Sequence, residues 1–221
     1  MMFDWFQKRG SGAFDLTMAP LPVAEGGFLS GTHVASNLGW RPIEALCEGD
    51  MMLTFDHGMQ PMIELQRETL HVEEGVLDPL RCPLHIPRDA LNNRVPMWLM
   101  PDQGVLLESD LIEDPQGDPF AVVPACTLEG YRGISRMHTG EKLELIRPRF
   151  ARDEVVYLEA GLLAFCSAPG DLLNMGAPVK DVAYKVLPVG AARELVQAMT
   201  ASENVMLQNA AASIPPGTYP V

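Results

Sequence analysis

An all-β domain with a short helical C-terminal extension is the fold this sequence predicts. Three observations carry the prediction. The 19 glycines and 19 prolines among 221 residues are spread along the chain. That distribution disfavours a helical bundle and favours a turn-rich β fold. Between Phe28 and Gly161, short apolar or alternating runs are bounded by turn residues, which is the signature of strands. Beyond Val179 the pattern changes, and residues 189–199 (VGAARELVQAM) set Ala, Leu, Val and Met at helical spacing.

In chain order, residues 1–26 read as a leader. Phe3, Trp5 and Phe6 in it could pack on the body as a short helix, and Gly10, Gly12, Pro20, Pro22, Gly26 and Gly27 break regular structure. Residues 31–35 (GTHVA) form a strand, followed by a turn at 37–39. Residues 42–46 (PIEAL) make a short element before Glu48, Gly49 and Asp50. Residues 51–55 (MMLTF) are a strand closed by Asp56, His57 and Gly58, and residues 61–68 continue the sheet. Later strands fall at 104–108, 120–123, 142–146 and 154–158. The Pro-rich end, SIPPGTYPV, reads as a tail.

Composition narrows the function classes. With 47% hydrophobic and 20% charged residues, the chain can bury a sizeable core. Its net charge of −13 disfavours a nucleic-acid partner, because phosphate binding rests on clustered Lys and Arg. No run approaches the ~18–20 apolar residues of a membrane span. The opening MMFDWFQKRG lacks the basic-then-apolar order of a secretion signal. Cytoplasm is therefore the default compartment, with export by a non-classical route left open.

Candidate metal and cofactor sites are poorly supported. Cys47, Cys82, Cys126 and Cys166 stand far apart with no C-x-x-C pair, and they read as buried free thiols. His33, His57, His71, His85 and His138 share no ligand spacing and read as surface or hydrogen-bonded residues. The acidic stretch at 110–118 lacks the alternating carboxylates of a calcium loop and reads as solvated. There is no phosphate-cradling glycine loop and no G-x-S-x-G elbow, so no cofactor is expected. The methionines at 51, 52, 59, 62, 97 and 100 read as adaptable core filler.

A run from Gly27 to Ile63 carries a more specific signal. It reads Gly27-Phe28, Gly31-Thr32, a strand, Gly39, Pro42-Ile43-Glu44 with Leu46, Gly49-Asp50, and a strand ending at Thr54. Further on stand His85-Ile86-Pro87, Ala90-Leu91, Pro96, residues 99–107 (LMPDQGVLL) and Val122-Val123-Pro124-Ala125. Leu128 and Gly130 follow, and then residues 150–156 (FARDEVV). In order and spacing this resembles the bacterial Hint (hedgehog/intein) domain over roughly residues 27–166. The resemblance implies a horseshoe-like β fold and autoprocessing. In active members an initial Cys attacks the preceding carbonyl to give a thioester, a central His assists, and a second nucleophile resolves it.

The resemblance also implies that this chemistry is lost. The nucleophile position falls on Gly27. The assisting His of the family's Pro-Gln-His-Arg pattern falls on Gly104, and a later His falls on Asp153. Ser30, which would need cleavage after Leu29, and Asp153, as acid or base, are the candidate substitutes. Ser30 reads more simply as a turn hydroxyl, and Thr32 and Thr54 as strand residues. Cys47 has no evident base beside it. The division expected is a leader at 1–26, a Hint-like domain at 27–166 and an extension at 167–221. Two functions follow: a degenerate, non-catalytic module that binds another protein, or a residual self-cleaving domain that releases the leader. A hydrolase acting in trans lacks a paired constellation.

Overall fold

The computed structural model describes residues 26–71, 82–112, 118–137, 142–169, 184 and 186–212. Residues 1–25, which include the expected leader helix at Phe3, Trp5 and Phe6, lie outside the described residues, as do His138, residues 113–117 of the acidic stretch and the Pro-rich end from 213.

The described chain forms β1 (Phe28–Leu29), β2 (His33–Ser36), β3 (Gly39–Pro42), β4 (Met51–Thr54) and β5 (Gly58–Pro61). Then come β6 (Glu64–His71), β7 (Leu84–Ile86), β8 (Met97–Leu99), β9 (Gly104–Glu108) and β10 (Phe120–Pro124). The last strands are β11 (Ser135–Arg136), β12 (Lys142–Arg149), β13 (Glu154–Leu158) and β14 (Leu162–Cys166), before helix α1 (Val189–Ala212). One sheet runs β11-β7-β8-β1-β12-β6. The other runs β10-β9-β14-β13-β2-β4-β5, with β3 added to β2. Neither closes into a barrel.

Burial alternates in some strands and not in others. In β4 the buried positions are Met52 and Thr54, whereas β12 buries the adjacent Leu145 and Ile146 in two different clusters. Residues 42–46 give a 3₁₀ turn at Ile43–Ala45, because Pro42 fixes the entry φ and leaves no N–H for a ladder. The strands β1, β3, β5, β7, β8, β11 and β14 were not among those the runs predict, and the single run at 61–68 is divided between β5 and β6. β1, β7, β8 and β11 have only two or three residues each, too short to show a period. β14 (LLAFC) is continuous rather than alternating, the pattern of a strand buried on both faces.

Phe28, Val34, Leu84, Leu99, Val123, Ile146, Val156 and Ala164 share one core, so both sheets enclose it. Helix α1 closes one side, with Ala192 and Val196 buried and Leu195 and Met199 packed against them. The helix spans 24 residues and continues past the predicted 189–199. Its second half was unreadable as an amphipathic element, because its apolar residues are not buried: Val205, Met206 and Leu207 are exposed.

Two tight junctions position the far end of the fold. The β13–β14 hairpin turns through Glu159 and Ala160, both at positive φ, as a type I′ turn requires. Glu159 is held there by its carboxylate, which accepts the His33 backbone N–H at 2.7 Å. At Gly161 a Cβ would lie 2.0 Å from the Asn92 carbonyl oxygen, so no other residue fits.

Candidate functional site

Gly27 enters the fold directly before β1, and β1 lies between β8 and β12. Phe28 pairs with Ile146 and Leu29 with Leu145. Carrying that register back one residue sets Gly27 opposite Arg147. A small cleft opens here, lined by Gly26, Gly27, Gln103, Arg147, Arg149 and Cys166 among others. Its volume is about 20 Å³, room for roughly one water molecule.

Neighbouring side chains occupy the space that a side chain at Gly27 would need. A Cβ there would stand 2.8 Å from Arg147 Cγ and 3.0 Å from Leu145 Cδ1. The Arg147 stem is held in place by its guanidinium, which donates to Glu68 at 2.7 Å. Gly26 is equally close to its neighbour, since a Cβ there would meet Gln103 Oε1 at 2.6 Å and Gln103 Cα at 2.7 Å.

Gln103 is the polar side chain that faces the Gly26-Gly27 segment. It is 1% exposed. Its amide donates to the Gly104 and Phe165 carbonyls, each at 2.8 Å. Gly104 points elsewhere. A Cβ on Gly104 would meet Val122 Cγ1 at 2.9 Å and Phe165 Cβ at 3.0 Å, in the core of the sheet. Sequence reading passed over Gln103 because it matches a residue type of the Pro-Gln-His-Arg pattern. The signal available was the run Val105-Leu106-Leu107: alternation along β9 puts Gln103 and Gly104 on opposite faces.

The remaining site residues do not converge on the cleft. Ser30 is exposed at the Leu29–Thr32 turn, where Thr32 N–H bonds the Leu29 carbonyl at 3.1 Å and Gly31 takes a positive φ. Its backbone N–H donates to the Glu144 carbonyl at 3.0 Å, so the Leu29-Ser30 peptide belongs to the sheet ladder. Asp153 lies beside the cleft strands, and its carboxylate accepts the Ala168 N–H at 2.8 Å. That bond ties β13 to the chain leaving β14.

All four cysteines are free thiols. Cys82, Cys126 and Cys166 are buried as expected, but Cys47 is exposed, a correction to its reading as a core thiol. It sits in a turn tied by its own N–H to Asp50 at 2.8 Å. Cys166, the one thiol lining the cleft, has its pKa pushed up by burial, so it is a poor nucleophile at neutral pH. Arg149 donates to Ser167 Oγ at 2.8 Å beside it.

The histidines with resolved partners are hydrogen-bonded. His57 Nδ1 meets Glu154 Oε2 at 2.9 Å, and His33 Nδ1 meets Glu159 Oε1 at 3.4 Å. Glu154 is 1% exposed and is offset by His57 on one oxygen and by Arg152 Nε, 3.8 Å from the other. Nearby, the Tyr184 hydroxyl donates to Asp56. Among the described residues no group of three or more His, Cys, Asp or Glu could hold a metal ion. Nor is any described helix long and apolar enough to cross a membrane.

Comparison with known proteins returns distant solved structures and one family model. A solution structure of a bacterial intein-like domain from Clostridium thermocellum aligns over 62% of this chain and 96% of its own, at 12% identity and a TM-score of 0.42. The gp41-1 intein aligns over 63% of this chain and 98% of its own, at 11% identity and a TM-score of 0.39. No curated protein matches. A Hint domain family model matches residues 26–164, beginning beside the cleft glycine and ending within β14. The chain therefore belongs to the Hint domain family.

Proposed function

We propose that this protein is a degenerate, non-catalytic Hint module that acts by binding another protein. The observation that carries the reading is the packed Gly26-Gly27 cleft. Acyl transfer needs a nucleophile, a proton donor for the leaving nitrogen and donors for an oxyanion. Gly27 supplies no side chain, and the Arg147 stem fills the space for one. Gln103 cannot give up a proton at neutral pH, and its amide N–H groups already serve the Gly104 and Phe165 carbonyls. The Cys166 thiol is held protonated by burial.

Ser30 and Asp153 add little to the self-cleaving alternative. An N–O shift at Ser30 would have to break a peptide engaged with Glu144 in the ladder. Asp153 is engaged with the Ala168 N–H.

Intact mass over days, with and without a thiol or hydroxylamine, tests the reading. The expected result is one species at the full 24.2 kDa. A new N-terminus near residues 27–30 would overturn it, and Ser30→Ala would then show whether Ser30 carries the cleavage. Opening the cleft by Gly27→Cys, Gln103→His and Arg147→Ala together is the positive control for thiol-dependent cleavage. In that control Gln103→His, rather than Gly104→His, sets an imidazole toward Gly26.

A further inference from the structure

Helix α1 leaves the body of the domain partway along its length. Its first turns are packed, while Val205, Met206 and Leu207 are 56%, 67% and 67% exposed. The departure point is fixed by Glu203. Its carboxylate accepts the Tyr131 hydroxyl at 2.7 Å and the Arg132 guanidinium at 2.6 Å. Under this overhang lies a groove of about 570 Å³, within the ~300–1,000 Å³ range of ligand-holding clefts. Phe55, Leu107, Leu111, Phe120, Met199 and Met206 contribute its apolar surface. Glu108 and Asp110, both exposed, stand on its rim. Arg132 also lines it but is committed to Glu203 and to the Ala90 carbonyl. The charge the groove offers an occupant is therefore negative.

Such a groove fits a segment with aromatic anchors followed by cations. Residues 3–9 supply that pattern: Phe3, Trp5 and Phe6, then Lys8 and Arg9. Lys8-Arg9 is the single place in the sequence where two basic residues are adjacent, in a chain of net charge −13. The tether is long enough. Gly26 abuts Gln103, and β9 leads from Gly104 to Glu108 at the groove rim, a strand length of about 15 Å. The roughly 16 residues from 10 to 25 can reach about 50 Å.

We infer that this groove holds the chain's own residues 3–9, with the aromatic rings on the apolar surface and Lys8 and Arg9 against Glu108 and Asp110. The docking is independent of any chemistry at the Gly26-Gly27 bond. A tether of this length gives an effective concentration on the order of millimolar. An intrinsic Kd of about 0.1 mM then fills the groove roughly tenfold over empty.

Amide hydrogen exchange on the full chain tests this, comparing wild type with a Phe3→Ser, Trp5→Ser, Phe6→Ser variant. Amides at 105–111 and 199–207 should exchange up to about tenfold faster in the variant, and β12 should be unchanged. A second variant, Glu108→Lys with Asp110→Lys, alters only exposed rim positions and should also speed exchange at 199–207. Equal exchange at 199–207 in wild type and in both variants would overturn the inference. Protection that rises with protein concentration would also overturn it, because a second copy would then be the occupant.

Discussion

The cleft at Gly26 and Gly27 encloses about 20 Å³, while the groove beneath α1 encloses about 570 Å³. The first lies where the family resemblance sets its chemistry, and it is filled by the Arg147 stem, Leu145 and Gln103. The second lies where the resemblance assigns no chemistry, and it is closed by Met199, Glu203 and Met206 of a helix outside the matched region. Gly27 leaves little open space beside its backbone, because a packed interior closes over small gaps. The larger open space is instead between helix α1 and the sheets.

The sharpest way to break that contrast is to force a side chain into the closed end. Gly104→His should cost about 1–3 kcal/mol through overpacking. Its Cβ would meet Val122 and Phe165, which are 0% and 7% exposed and have little room to yield. The loss should appear as a lower urea midpoint with an unchanged slope. A variant as stable as wild type would mean that the β9–β10 region is looser than its packing indicates.

Gly27→Cys should cost less, about 1 kcal/mol, because the closest obstacle is a side-chain stem, Arg147 Cγ at 2.8 Å, rather than backbone. Adding Arg147→Ala should recover most of that loss, at the expense of the ion pair to Glu68, which is half exposed. A double-mutant cycle in urea should therefore give a favourable coupling of at least ~0.5 kcal/mol. No coupling would show that Leu145, not Arg147, closes the cleft.

How much of this was legible in the sequence differs between the two regions. The long strands and the family pattern were readable, because alternation and turn residues are local signals. That the resemblance sets its nucleophile position on Gly27 was equally plain. What packs against Gly27 was not, since Arg147 reaches it across a sheet register that only the fold sets. Assigning the central His position to Gly104 rather than Gln103 is a one-residue question that alternate strand faces decide. The groove was invisible. Its walls come from β9, the loop at Ala90–Asn92, the turn at Tyr131 and α1, and the Arg132 φ of 44° that aims its guanidinium has no local sequence mark.

The smallest expected effect concerns the clamp at the open end. Arg132 holds the Glu203 carboxyl below the usual carboxylate range. Its contribution is therefore present above the unfolded Glu pKa of about 4.3 and is lost as pH falls through the lower folded value. Both partners are more than a third exposed or close to it, at 43% and 35%, so solvent screening keeps the contribution below about 1 kcal/mol. Glu203→Gln should lower the Tm slightly at pH 7, and the difference should shrink as the pH falls through the lowered folded value. At the other extreme, burial and the Glu203 bond push the Tyr131 hydroxyl up to about 12. Between about pH 10 and 12 the unfolded phenol ionises first, so stability falls as pH rises. If Glu203→Gln instead lowers the Tm equally at pH 3 and pH 7, the clamp acts through its neutral hydrogen bond to Tyr131. In that case the end of α1 would stay anchored over the groove even in acid.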